Sequence, residues 1–196
     1  IKFMDIAFID TKKREDFPEF KEMFGFIESY MGYLPNAYLL MAENSSLIKS
    51  FSDLTNAIFL SKNIDAGTKQ LIALASSLSS GCKYCQSHTA HGAERSGISL
   101  KKISDILNYS KSSHYDDKDK ALLDLAFASG TVPNQSKKEH FDKLKEYFSN
   151  EQIIDIVSVI SLFGFLNRWN DTFGTVIEEV PSNFLEEKLV PVGWQK

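Results

Sequence analysis

The chain is read as all-α. Apolar residues recur every three to four positions in one segment after another, and cap and stop residues bound these segments. No segment shows the period-two alternation of a strand. The 196 residues can bury a core without help from disulfides or metal, and they fit one helical domain over 1–196. Residues 1–30 are read as an N-terminal arm and first helix, and 181–196 as an irregular tail.

Taken in order, the run Ile6-Ala7-Phe8-Ile9 and the polar residues after it predict an extended arm. A helix is expected from near Asp16, where Pro18 suits a first turn and Phe17, Phe20, Phe24 and Ile27 follow at helical spacing. Gly32 ends it. Pro35 opens a short helix through Ala42. Leu47, Phe51, Leu54 and Ile58 mark the next, which residues 62–65 break. A strong helix follows from Ala66 to Ser80, and its small residues Ala73, Ala75, Ser76 and Ser77 allow a neighbouring helix to approach closely. Gly81 terminates it, and Gly97 closes the next helix, which begins at or just after Cys82. Ser99 caps a short helix. Further helices are predicted over Asp116–Ser129 and Ser136–Phe148. Asn150 is expected to cap the last and most apolar helix, Ile153 to Phe173, read as buried nearly all round.

A formal charge of −4 without a basic stripe argues against a nucleic-acid surface. No apolar run approaches the ~18 residues that span a bilayer, and the first residues lack a signal-peptide pattern, so no membrane association is expected. Two cysteines outside any disulfide framework point to a reducing cytoplasm.

Both cysteines lie in Ser80-Gly81-Cys82-Lys83-Tyr84-Cys85-Gln86-Ser87-His88-Thr89-Ala90-His91. Four ligands at steps of three suggest a zinc site, but on one helix Cys82 and His91 fall roughly half a turn apart and cannot converge tetrahedrally. No metal is therefore expected. Two thiols at i and i+3 on a first helical turn can instead close a disulfide. The helix N-terminus favours the thiolate there, and His88 lies on nearly the same face as Cys85, placed to take its proton. The trio can run as nucleophile, base and resolving thiol. The plain alternative is two buried hydrophobes, which the polar neighbours Lys83, Gln86 and Ser87 oppose. His91 is read as structural or supporting, and His114 and His140 as exposed. Asn167, Arg168 and Asp171 are read as a polar cluster that fixes helix packing.

Residues 65–97, centred on Gly81 to Thr89, resemble the redox core of the alkylhydroperoxidase AhpD-like superfamily, which includes the carboxymuconolactone decarboxylases. The Cys-x-Tyr-Cys-Gln-x-His-Thr pattern is similar to that of its branch of uncharacterised peroxidase-related proteins. Phe163 to Gly174 resembles a second block of that branch. The resemblance implies an orthogonal helical bundle with the Cys-x-x-Cys at the N-terminus of a core helix, and a homo-oligomer. It also implies peroxide reduction in which Cys85 attacks and Cys82 resolves. In such members a glutamate twelve residues before the first cysteine and a histidine after the second relay protons. Here the glutamate's place holds Gln70, which cannot carry a proton as a carboxylate does. The usual histidine place is Thr89, with His88 one residue early; Gln70, His91 and Tyr84 are the remaining relay or supporting residues.

The expected function is thus a thiol peroxidase running a Cys82/Cys85 dithiol–disulfide cycle with His88 as proton acceptor. Its substrate would be a small peroxide. No bound cofactor is expected, because no glycine-rich dinucleotide fingerprint is present, and a dithiol carrier protein would supply electrons. A non-catalytic redox sensor or helical interaction protein is the first alternative, and a lactone-acid decarboxylase the second.

Overall fold

In the computed structural model, described for residues 5–194, every regular element is helical. The arm is bent over residues 6–9 where an extended run is expected, and it leads to two 3₁₀ turns at Arg14–Asp16 and Pro18–Phe20, so helix α1 (Lys21–Met31) starts five residues later than the spacing predicts. Residues 1–4 of the arm and 195–196 of the tail lie outside the described residues. Helix α2 covers Asn36–Ala42, α3 Ser45–Phe59, α4 Ala66–Ser80 and α5 Lys83–Arg95. They are followed by α6 (Leu100–Ser104), α7 (Asp117–Gly130), α8 (Lys138–Leu144) and α9 (Asn150–Phe173).

Local chemistry sets most boundaries. Asn44, Asp65, Ser99 and Asp116 each accept a backbone N–H of the first turn they precede. Asp65, read from sequence as part of a break, is therefore the cap of α4. Ser149, not Asn150, caps α9, and Gln152 completes a capping box with it. Gly32, Gly81 and Gly174 take left-handed backbone at the ends of α1, α4 and α9.

Helix α4 is the centre of the larger core. Leu71, Ile72, Ala73, Leu74 and Ala75 are all buried, and α5, α7 and α9 pack around them. The expected close approach is made by α7: a methyl group at Gly130 would fall 2.6 Å from the Ser76 carbonyl oxygen. A second, aromatic cluster joins Phe17, Phe20 and Phe24 to Met41, Ile48, Phe51 and Leu162, with Ile58, Phe59 and Leu166 packed against both clusters. Each buried side chain of this kind contributes roughly 1.5–3 kcal/mol.

Two expectations are corrected. Helix α9 is not buried all round: Ile156, Val159, Ile160, Phe163, Asn167 and Asn170 form its inner stripe, while Ile154, Phe165, Arg168 and Asp171 face outward. Among the described helices it alone has the length and apolar composition to cross a membrane, but its inner stripe packs as a core helix. The tail is not irregular either. Glu179–Phe184 forms α10, continued by a π turn at Leu185–Leu189 and a 3₁₀ turn at Val190–Val192. Phe184 and Leu189 enter the larger core.

Candidate active site

Gly81, at φ 86°, ends α4 and reverses the chain so that Cys82 is already the N-cap of α5. The Cys82 Sγ accepts the Cys85 N–H at 3.4 Å. The two thiols thus meet across the first turn, and both are free. Cys85 forms part of the wall of a cavity of about 390 Å³, which Cys82 does not line. The Asn170 amide of α9 donates to the Cys85 Sγ at 3.5 Å.

The expectation that the helix terminus would depress the reactive thiol fails for Cys85. Burial pushes its pKa well above the ordinary value, and the neighbouring Cys82 and the Asp171 charge add to the rise; the Asn170 hydrogen bond opposes it. Cys85 rests as a neutral thiol.

One turn along α5, His88 Nδ1 donates to the Tyr84 carbonyl at 2.7 Å, which leaves Nε2 facing Glu178 Oε2 at 2.6 Å. Both ring nitrogens thus face oxygen atoms, one a carbonyl and the other a carboxylate. The Tyr84 ring stacks on the imidazole at a centroid distance of 4.0 Å, and its hydroxyl donates to Glu178 Oε1 at 2.7 Å while accepting the Ala37 N–H. Burial raises the Glu178 carboxyl, but the His88 contact and the donors Asn36 N–H and Tyr84 O–H outweigh it and hold the carboxyl below its usual range.

Glu178 reaches His88 because the segment after α9 is tied down on both sides. Val176 N–H bonds to the Ile6 carbonyl of the arm, and the Asn36 side chain donates to the Val176 carbonyl at 2.9 Å. The carboxylate absent from position 70 is therefore present, supplied from the far end of the chain. Gln70 itself lines the cavity, its amide lying across Gly92, where a methyl group would sit 2.7 Å from Oε1. His91 also lines the cavity, between the rings of Tyr33 and Phe184; burial first, then the Arg95 charge, lowers its pKa, so it stays neutral at pH 7.

The structure thus brings together Cys82, Cys85, His88 and Tyr84, with Gln70 and His91 on the same cavity. The expected packing cluster of Asn167, Arg168 and Asp171 does not form: Asn167 is buried without a hydrogen bond, and the other two point outward. Among the described residues no three His, Cys, Asp or Glu side chains converge as metal ligands. Sequence reasoning missed Asn170, Tyr33 and Glu178. Asn170 continues the inner stripe of α9 at the right spacing; nothing local marks the other two.

The fold and site define an all-α protein with a buried dithiol and a histidine–carboxylate pair, of which Cys85 and His88 line one cavity. The carboxymuconolactone decarboxylase family model matches residues 46–128. The crystal structure of the debrominase Bmp8, a cysteine-to-alanine variant in complex with 2,3,4-tribromopyrrole, is 35% identical. It superposes with a TM-score of 0.86 over 94% of this chain and 97% of that one. A peroxidase-related protein of the AhpD core type from Ralstonia eutropha JMP134 shares the fold at 20% identity and a TM-score of 0.81, over 92% and 96% of the two chains. The uncharacterised protein YdfG of Bacillus subtilis (strain 168) is 25% identical over 109 residues, 55% of this chain and 72% of that one. The chain is thus a relative of the debrominase Bmp8; its residues 46–128 are similar to the carboxymuconolactone decarboxylase family, and it shares the fold of AhpD-core proteins.

Proposed function

We propose that the protein is a dithiol-dependent reductase that removes a halogen from a small aromatic molecule. One observation carries the reading: the Cys85 thiol opens onto an apolar cavity of about 390 Å³ whose wall also holds His88. That volume suits a small organic molecule, whereas hydrogen peroxide would fill a small part of it. The identity to a debrominase across nearly the whole chain supports the halogenated class.

In this reading the His88–Glu178 pair delivers a proton to the halogen-bearing ring carbon, making it tetrahedral. The Cys85 thiol gives its proton to the emptied pair, and its sulfur attacks the halogen. The carbon–halogen electron pair returns to the ring, which leaves as the C–H product. Cys85 then carries a sulfenyl halide. Cys82 attacks the Cys85 sulfur, loses its own proton, expels halide and closes the disulfide. The sum is aryl halide plus two thiols giving arene, disulfide, halide and one proton. An external dithiol restores the thiols, as suits a reducing cytoplasm.

A second reading is reduction of an organic hydroperoxide by the same pair. The Asn170 amide beside Cys85 Sγ favours it, because that donor would steady a sulfenate oxygen before Cys82 condenses with it.

The test is halide release from 2,3,4-tribromopyrrole by reduced protein supplied with a dithiol, run beside consumption of cumene hydroperoxide. Halide release with one disulfide formed per halide is expected, abolished by Cys85→Ser and reduced to no more than a single turnover by Cys82→Ser. Hydroperoxide consumption without halide release selects the second reading. Full turnover by either cysteine variant sinks both.

A further inference from the structure

We propose that Tyr33 selects the substrate. Its hydroxyl oxygen accepts a hydrogen bond from an N–H or O–H on an electron-rich aromatic ring, and so turns the halogen-bearing edge toward Cys85. This rests on the dehalogenating reading above and narrows it to a substrate class: halogenated pyrroles, phenols and similar rings that carry a donor on or beside the ring.

Tyr33 follows Gly32, whose left-handed backbone turns the chain back over the cavity after α1. Its ring meets His88 edge-on at 5.4 Å and tilts against His91 at 5.9 Å. The hydroxyl is shut off from solvent and has no hydrogen-bond partner within the protein, although a buried hydroxyl normally has one. The two charged groups that bear on it, Glu178 and Arg95, are engaged elsewhere. Glu178 is held by His88, Tyr84 and Asn36, and Arg95 donates to the Tyr30 carbonyl. Burial, with Glu178 nearby, keeps the phenol protonated and uncharged, so it presents lone pairs without repelling a donor.

The placement fits a single ring. Cys85, His88 and His91 climb one side of α5 at about 1.5 Å per residue, spanning roughly 9 Å of axis. Tyr33 stands beside the upper two. A five- or six-membered ring lying along this wall has its donor at Tyr33 and its halogen at Cys85. The contact also aids the chemistry: a ring N–H or O–H bonded to an acceptor releases more electron density into the ring, and the ring carbon is then protonated more readily.

Binding of 2,3,4-tribromopyrrole and of its N-methyl derivative tests this, measured by calorimetry on the Cys85→Ser protein so that no turnover is needed. A single neutral hydrogen bond corresponds to about a three- to tenfold effect. Adding Tyr33→Phe, which keeps both ring contacts, should weaken the N–H compound by that factor. The N-methyl compound should bind equally weakly with and without the Tyr33→Phe substitution. Equal affinity of both compounds for the protein that retains Tyr33, an unchanged affinity in Tyr33→Phe, or no binding of either compound overturns the inference. Since binding is read without reaction, Tyr33-dependent N–H preference in a protein that releases no halide would leave this inference standing and remove the dehalogenation. Halide release without that preference would do the reverse.

Discussion

At Cys85, burial and the Asn170 hydrogen bond pull in opposite directions and burial wins, so the thiol waits as a neutral group one turn from the His88–Glu178 pair. Reactivity then depends on moving protons within the site more than on a standing thiolate, and Glu178 is the residue to change. Its carboxyl sits below its ordinary value, so the stability it contributes is present above about pH 4.5 and is lost as pH falls through the depressed value. Glu178→Gln should cost about 1–3 kcal/mol at pH 7. That difference should shrink toward zero in urea melts at successively lower pH, because the protonated acid and the amide are nearly alike. Turnover should drop about 10²-fold or more. A variant with wild-type turnover would remove Glu178 from the relay.

The helices that carry these residues were largely legible. Leu71, Leu74 and Ala75 repeat at helical spacing ahead of Gly81, and Phe24 and Ile27 ahead of Gly32, a pattern that one buried helical face satisfies. Helix α9 misled for a physical reason: Ile154 and Phe165 are apolar yet lie on its exposed side, so composition alone could not separate its faces. Two glycines separate packing from function at this scale. A methyl group at Gly130 would meet the Ser79 hydroxyl at 2.0 Å and the Ser76 backbone at 2.6 Å. Gly130→Ala should therefore destabilise by about 1–3 kcal/mol as α4 and α7 are forced apart. The atoms nearest a methyl group at Gly92 all belong to the far end of the Gln70 side chain, which can turn aside, and alanine gains up to about 1 kcal/mol of helix propensity, so stability should hold or rise. The displaced Gln70 amide should change KM. Chemical melts and steady-state kinetics on the two variants check both statements.

Across the whole molecule, the dithiol and His88 could be read from one short stretch, but their setting could not. Tyr33 comes from the turn after α1, Asn36 from the start of α2, Asn170 from α9 and Glu178 from beyond it, 90 positions past His88, and only the folded chain makes them neighbours. The tail defeated sequence reading because Pro181 and the residues around it show no sustained period, though Phe184 and Leu189 are core residues. Removing residues 175–196 should abolish turnover and lower stability by several kcal/mol, since two buried apolar side chains are lost at roughly 1.5–3 kcal/mol each. Phe184→Ala in the full chain, which keeps Glu178, should lose stability but retain measurable turnover. Equal turnover in the truncated and full chains would show that the tail serves packing alone.

The late position of Glu178 also bears on the order of events during synthesis. A ribosome adds residues from the N-terminus, so Cys82, Cys85 and His88 emerge well before their carboxylate exists. Until residue 178 has been made and docked against Asn36 and Tyr84, the histidine lacks this carboxylate partner. The burial that holds Cys85 neutral likewise arises only when the polypeptide closes on itself, so in the nascent chain that thiol ionises at its ordinary value.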